Sequence, residues 1–397
     1  MSKMIYFDNS ATTRPSDGCV RAVSEALLAD FANPSSLHGA GHEVHKKVER
    51  AREDILATLG TDTKKHRLIF TSGGSEANNL ALLGVGRSKN WHFKPKMLVG
   101  DGEHPSVERC AERLEREGFE VVHISTRGGE IDMDEVRAHA DSRTVLASFM
   151  AVNNETGARY DVTGAFRIIK EANPDCVCHC DCVQAYLKIM INASSLGADL
   201  ISVSAHKIHG PKGIGALIVH PGVLTRRLLE PVIYGGGQEG SLRAGTENTA
   251  YILGFAEAAR ESRAAMRELN ARASEILAYI EDKTARDPRL DGFVLNRPRN
   301  AVPYIISITT PNTKSETMLH FLSGEGICVS SGSACSSHSR ATSPALRAYG
   351  LEPDSADRTI RVSLSRENTL EEAERFVDAL ARGAQTLVGI RRKQTVI

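Results

Sequence analysis

The segment Ser204-Ala205-His206-Lys207-Ile208-His209-Gly210-Pro211-Lys212-Gly213 follows the apolar-rich run Asp199-Leu200-Ile201-Ser202-Val203. The run reads as a short strand, and the glycines and proline beyond it break the chain into a loop. A hydroxyl, an imidazole and an amine are thereby set together at a strand's C-terminal end. In open α/β sheets that edge is where ligands bind. A lysine held there among apolar neighbours can be partly desolvated, which favours its neutral, nucleophilic form and a Schiff base with an aldehyde. Alone, Lys207 has a plainer reading as a solvated surface lysine; its neighbours in the sequence decide between the two.

Upstream of this segment, strand and helix alternate. Apolar Val44, Val48, Ala51, Ile55 and Leu59 recur at helical spacing over 43–59. Strands are predicted at 68–70, 96–100, 121–125, 144–152, 177–183, 200–204 and 215–220, with helices near 105–117, 132–140 and 162–171. This alternation predicts an α/β fold: a large domain with a mostly parallel seven-stranded sheet covered by helices on both faces. A long helical region follows over 247–283. Beyond it, strands at 305–309, 327–330 and 359–364 mix with helices near 315–323, 341–349 and 369–388. The last of these opens on the capping box Thr369-Leu370-Glu371-Glu372. This part reads as a smaller α+β domain, giving a large domain over 14–260 and a small one built from 1–13 and 261–397.

Composition narrows the class. The 397 residues are 41% hydrophobic and 25% charged, an ordinary balance for a globular chain with a sizeable core. Lysine plus arginine equals aspartate plus glutamate at 49 each, which gives no reason to expect a nucleic-acid or membrane-surface partner. No apolar run approaches the ~20 residues of a membrane span, and the first residues lack the apolar stretch of a signal peptide. A cytoplasmic location is the expectation, and with it free, catalytic or metal-binding thiols rather than a disulfide framework for the eight cysteines.

Four further features make sense beside Lys207. Ser72-Gly73-Gly74-Ser75-Glu76 joins a strand to a helix, where free amides bind phosphate. Asp181 ends another strand, where a carboxylate can keep a pyridine nitrogen protonated. His104, in Gly102-Glu103-His104-Pro105-Ser106, can stack on an aromatic ring and move protons. Asn154, in Asn153-Asn154-Glu155-Thr156-Gly157, can hydrogen-bond a phenolic oxygen. Each has a plainer reading as an N-cap, turn or loop residue. Together, in this order, they describe a site for pyridoxal 5'-phosphate (PLP). Cys335, in Ser330-Ser331-Gly332-Ser333-Ala334-Cys335-Ser336-Ser337-His338, lies in a polar, glycine-containing loop. That setting suits a nucleophilic thiol better than the buried role most cysteines take.

The stretches that carry a family likeness run nearly end to end. They include Asp8-Asn9-Ser10-Ala11-Thr12-Thr13, Asn33-Pro34-Ser35-Ser36-Leu37-His38, Gly74-Ser75, Asn154, Asp181-x-x-Gln184 and His206-Lys207-x-x-Gly210-Pro211-Lys212-Gly213. They continue through Gly235-Gly236-Gly237-Gln238-Glu239, Arg243-Ala244-Gly245-Thr246, Cys335 and Ile360-Arg361-Val362-Ser363-Leu364. The set resembles the cysteine desulfurases of the NifS-like group, in the class V aminotransferase superfamily of fold-type I PLP enzymes. The resemblance implies that Lys207 holds PLP as a Schiff base and later moves protons on the substrate, L-cysteine. It implies that Gly74, Ser75, Ser204 and His206 hold the phosphate, with Thr246 reaching the phosphate of the neighbouring subunit of a homodimer. It assigns His104 to the ring face, Asp181 to the pyridine nitrogen, Asn154 and Gln184 to the phenolic oxygen, and Arg361 to the substrate carboxylate. Asn154 is expected to touch substrate as well. Cys335 would attack the substrate sulfur, leaving an enzyme persulfide and L-alanine, with the sulfur passed to an acceptor protein for iron–sulfur cluster, thio-cofactor or tRNA biosynthesis. Rival readings are a selenocysteine lyase, another class V aminotransferase, or a non-catalytic persulfide-relay or scaffold protein. Transamination needs no second nucleophile, so Cys335 separates the first reading from that rival.

One stretch departs from the family pattern: Cys176-Val177-Cys178-His179-Cys180-Asp181-Cys182. Side chains alternate along a strand, so the four thiols share one face at a spacing of about 6–7 Å. A straight row cannot surround one ion tetrahedrally, so buried core thiols are expected rather than a metal site. The row is also expected to make the protein sensitive to oxidation.

Overall fold

The computed structural model describes residues 4–89, 91–332 and 342–394. Thirteen strands occur among them: β1 (Ile5–Tyr6), β2 (Arg67–Thr71), β3 (Lys96–Gly100), β4 (Glu120–Ile124), β5 (Thr144–Met150), β6 (Val177–Asp181), β7 (Leu200–Ser204), β8 (Gly215–Val219), β9 (Val294–Leu295), β10 (Ile305–Thr309), β11 (Ile327–Cys328), β12 (Ser330–Ser331) and β13 (Thr359–Ser363). β2 to β8 form one sheet in the order β2-β8-β7-β6-β5-β3-β4. Only β8 runs against its neighbours. The seven-stranded, mostly parallel sheet expected from the sequence is present.

The reason lies in side-chain alternation. Phe70, Leu98, Phe149, Cys180 and Val203 point to one face and pack with Val48 and Ile55 of the helix Gly39–Thr58, Phe166 of Val162–Ala172, and Phe255 of Thr249–Arg286. Ile69, Met97, Val99, Leu146, Val177 and Leu217 point to the other face. They pack with Leu80 of Gly74–Gly86 and Leu114 of Pro105–Arg116. Strands buried on both faces read as apolar runs rather than as alternation, which is why they are conspicuous in the sequence.

The second sheet, β12-β13-β10-β9, is antiparallel, and β1 pairs with β11 in a separate two-stranded sheet. Here one expectation is corrected. The strand expected at 327–330 divides: Ile327 and Cys328 pair with Ile5 and Tyr6, whereas Ser330 pairs with Arg361. The helix Thr249–Arg286 is continuous, so position 260 lies inside it. The capping box is reciprocal, with Glu372 N–H donating to Thr369 Oγ1 and Thr369 N–H to Glu372 Oε2, both at 3.2 Å. No helix among the described residues is long and apolar enough to cross a membrane.

The four thiols of Cys176, Cys178, Cys180 and Cys182 are fully buried in the core. Cys180 and Cys182 come within 3.5 Å of each other. Burial pushes the thiols of Cys176 and Cys180 well above the usual range. The thiolate is the form that oxidises, so burial of these two thiols works against the oxidation sensitivity expected of the row. On the opposite face His179 lies between the hydroxyls of Ser148 and Ser202, at 2.8 and 2.9 Å. Burial lowers its pKa to about 4. The fold therefore holds His179 neutral, while the unfolded chain binds a proton below its ordinary pKa of about 6.5. Stability is fully present above that value and is lost as pH falls toward 4. Denaturant titrations should lose roughly 2 kcal/mol between pH 6.5 and 5 through this residue. His179→Gln should flatten that slope; an unchanged slope would show that the loss comes from elsewhere.

Candidate active site

Because β2, β3, β5, β6 and β7 run the same way, the segments leaving their C-terminal ends meet at one edge of the sheet. They enclose a cavity of about 530 Å³. Gly74, Ser75, His104, Asn154, Asp181, Gln184, Ser204, His206, Lys207 and Arg361 all line it. Of the residues expected from the sequence, Thr246 does not line this chain's cavity and is exposed. Cys335 lies outside the described residues.

Lys207 stands just after β7, and its Nζ donates to the carbonyls of Ser10 and of Ala11, the latter at 2.8 Å. Asp181, the last residue of β6, accepts from Asn78 Nδ2 at 2.8 Å and from Val183 N–H at 2.9 Å. Asn78 Nδ2 also donates to Ser106 Oγ at 2.8 Å. Ser106 Oγ lies 2.8 Å from His104 Nδ1, and Ser106 N–H donates to the same nitrogen at 3.1 Å. A neutral imidazole that accepts at Nδ1 carries its proton on Nε2. Burial lowers the pKa of His104, and the Lys207 charge adds to this against the opposing pull of Asp181. The His104 tautomer is therefore set by a chain of hydrogen bonds that begins at Asp181.

At the other end of the cavity the helix Gly74–Gly86 begins without a side-chain cap on its first amides. Gly74 approaches so closely that a Cβ there would fall 2.7 Å from Val183 Cγ2. Ser204 Oγ is buried nearby with no hydrogen-bond partner. Arg361 on β13 is 2% exposed; its guanidinium donates to the Asn154 carbonyl and to Asp8 Oδ1, both at 2.9 Å, and its Nε is unpartnered. Among the described residues, Ser10 Oγ and Asn78 Oδ1 are also buried lining atoms without partners. Buried polar groups rarely stay unpaired in a folded chain, so their concentration here marks a site shaped for a polar ligand.

Sequence reasoning passed over Asn78, Glu103 and Lys188. The signal for Asn78 was an amide on the apolar face of a helix, beside Ala77, Leu80 and Ala81. Glu103 is buried and accepts from Met150 N–H at 2.6 Å. Burial, with the Asp181 charge adding, pushes its pKa well above the carboxylate range.

Residues 5–376 match the family model described as aminotransferase class-V. The chain is 36% identical over 384 residues to a cysteine desulfurase IscS from Dictyoglomus turgidum, spanning 96% of this chain and 95% of that protein. A solved NifS-like protein superposes with a TM-score of 0.88 at 31% identity, covering 96% of this chain and 99% of the other. The structure of SspA in complex with cysteine superposes with a TM-score of 0.78 at 29% identity, over 91% and 99% of the two chains. By the match of its sequence over nearly its whole length, and by the likeness of its fold to a NifS-like protein, this chain belongs to the class V aminotransferase family.

Proposed function

We propose that this protein is a PLP-dependent L-cysteine desulfurase. The observation that carries the reading is the convergence of Lys207, Asp181 and Arg361 on one cavity walled by unpartnered buried polar atoms. Its close relatives in sequence and fold are cysteine desulfurases and NifS-like proteins, and SspA, of like fold, binds cysteine.

The residues present fit the cofactor. The uncapped amides at Gly74 and Ser75, with the Ser204 hydroxyl and His206, suit a phosphate. Asp181 suits a protonated pyridine nitrogen, the face of His104 an aromatic ring, Asn154 and Gln184 a phenolic oxygen, and Lys207 an aldehyde. When bound, PLP supplies an electron sink for carbanion chemistry. The chain's own residues do the rest. Arg361 anchors the substrate carboxylate by a charge-assisted pair, exchanging its contact with Asp8 for it. The Lys207 amine moves protons at the substrate carbon. The Cys335 thiolate attacks the substrate sulfur: an S–S bond forms as the C–S bond breaks, and the carbon fragment is protonated to L-alanine. The persulfide then passes its sulfur to an acceptor protein. The exposed Thr246 serves the site of a second copy in a homodimer, and the cytoplasm is the setting in which such a thiol stays reduced.

The test is direct. Purified protein with PLP, L-cysteine and a thiol reductant should yield sulfide and alanine in equal amounts. Alanine without sulfide, or a keto acid in its place, would replace the desulfurase reading with another class V activity.

A further inference from the structure

A buried lysine that the chemistry above does not use lies behind the cavity. After β6 the chain winds through a helical turn, with Tyr186 N–H donating to the Cys182 carbonyl at 2.7 Å and Ile189 N–H to Ala185 at 3.0 Å. Residues four apart in such a turn are neighbours, and these are Gln184 and Lys188. Leu187 between them takes φ +56°, a left-handed conformation that disfavours leucine. The chain accepts that strain where Lys188 turns into the core, 6% exposed. Lys188 Nζ donates to Gln184 Oε1 at 3.1 Å and sits 5.3 Å from the centre of the Tyr304 ring. The Tyr304 hydroxyl in turn donates to the Gln184 carbonyl at 3.0 Å. On the cavity side Gln184 Nε2 donates to the Ser10 carbonyl at 2.9 Å, the same carbonyl that accepts from Lys207.

A primary amide has two ends of nearly equal shape and opposite polarity, and only its hydrogen bonds decide which end faces where. An ammonium is a donor only, so Lys188 pairs with the oxygen and leaves the N–H end toward the cavity. We propose that Lys188 is a positioning residue, which sets the orientation of the Gln184 amide so that an N–H, not a C=O, is presented to the phenolic oxygen of the cofactor. The groups around Lys188 fit a device of this kind. Lys207, Arg361 and His206 face it from the site, Tyr304 from beneath, and His209 and Arg366 across a cavity of about 30 Å³. No carboxylate is among them, and among the described residues Gln184 Oε1 accepts the lysine's hydrogen bond. Burial, with Lys207 and Arg361 adding to it, lowers the Lys188 pKa to about 7; the ammonium and the amine both carry N–H groups to give to Oε1.

The proposal rests on the reading of the cavity as a PLP site. The PLP-loaded protein is titrated with pH while its visible absorbance is followed, alongside Lys188→Met, Gln184→Ala and the double variant. A donated hydrogen bond makes the phenolic oxygen less basic, and the transition should follow. Each single variant is expected to move the midpoint upward by about 0.5–1 pH unit, the size of one hydrogen bond. The double variant should move no further than Gln184→Ala. Lys188→Met leaves no orphaned buried charge, so the fold should persist. If it does not, Lys188→Gln, which donates and accepts alike, should give about half the shift. An unmoved midpoint in the folded Lys188 variant overturns the proposal. So does an equal shift added on top of Gln184→Ala, which would assign Lys188 a direct charge effect. A wild-type protein with no visible band overturns the cofactor reading itself, whereas a normal band that the Lys188 variant leaves unmoved overturns this proposal alone.

Discussion

The Lys207→Ala protein should lack the visible band that marks PLP held covalently, and should turn over L-cysteine at least ~10³-fold more slowly than the wild type. Two proposed roles would be lost at once. One is the covalent hold on the cofactor aldehyde; the other is the amine that moves protons at the substrate carbon, a role worth about 10²–10⁴ by itself. Three neighbouring groups are placed so that they cannot take over. Lys188 is buried and committed to Gln184. His206 is held neutral, its pKa lowered to about 3 by burial and then by Lys207, Lys188 and Lys212. His104 has its Nδ1 occupied by Ser106. Lys207 itself donates to two backbone carbonyls, Ser10 and Ala11, which hold its Nζ at the cavity wall. The phosphate contacts proposed for Gly74, Ser75 and Ser204 do not involve the lysine, so the variant should still bind PLP, measurable by equilibrium dialysis. A variant that kept both the band and near-normal turnover would mean that Lys207 is not the residue that carries the cofactor.

Much of this was legible in the chain because strand ends announce themselves. The runs at 96–100, 200–204 and 305–309 are apolar, short and bounded by turn residues, and the structure places strands at those residues. Ser204, Lys207, Asp181 and His104 could be read from the sequence because each follows such a run directly. What stayed hidden depends on which strands become neighbours. Asn78 reaches Asp181 only because the helix Gly74–Gly86 lies over β6 and β7, and a single sequence does not contain that order. Glu103 reaches Met150 only because β3 lies beside β5. Lys188 gave no signal, since a lysine after a strand reads as solvated. The first long helix, Asp17–Ala29, escaped because it buries little: Leu27 and Leu28 are exposed, and the apolar stripe that would reveal it is broken. The division of 327–330 between two sheets escaped for a related reason, since a period-two pattern continues unchanged when the pairing partner changes.

Cys335→Ala should keep the visible band and lose sulfide release. The other cysteines are unsuited to the role. Among the described cysteines, none lines the cavity. Burial pushes Cys19 up to about 11 and Cys110 up to about 12, raises Cys328, and raises Cys176 and Cys180 well above the thiol range. A thiol held protonated is a poor nucleophile, so none of these can replace Cys335. The described residues on either side of the Cys335 segment lead to the site. Ser330 pairs with Arg361, and the Glu155 carboxyl, which lines the cavity, accepts from Ser343 Oγ at 2.6 Å. A Cβ on Gly332 would fall 2.8 Å from that same carboxyl. Ser330 and Gly332 on one side of residues 333–341, and Ser343 on the other, thus each lie against a residue that lines the cavity. Without the thiol, substrate binding and proton movement by Lys207 remain, so Cys335→Ala should still exchange the substrate α-hydrogen with solvent deuterium. Its sulfide release should fall at least ~10²-fold. Sulfide production at the wild-type rate by Cys335→Ala would place the sulfur-accepting nucleophile elsewhere and remove the feature that separates a desulfurase from other class V enzymes.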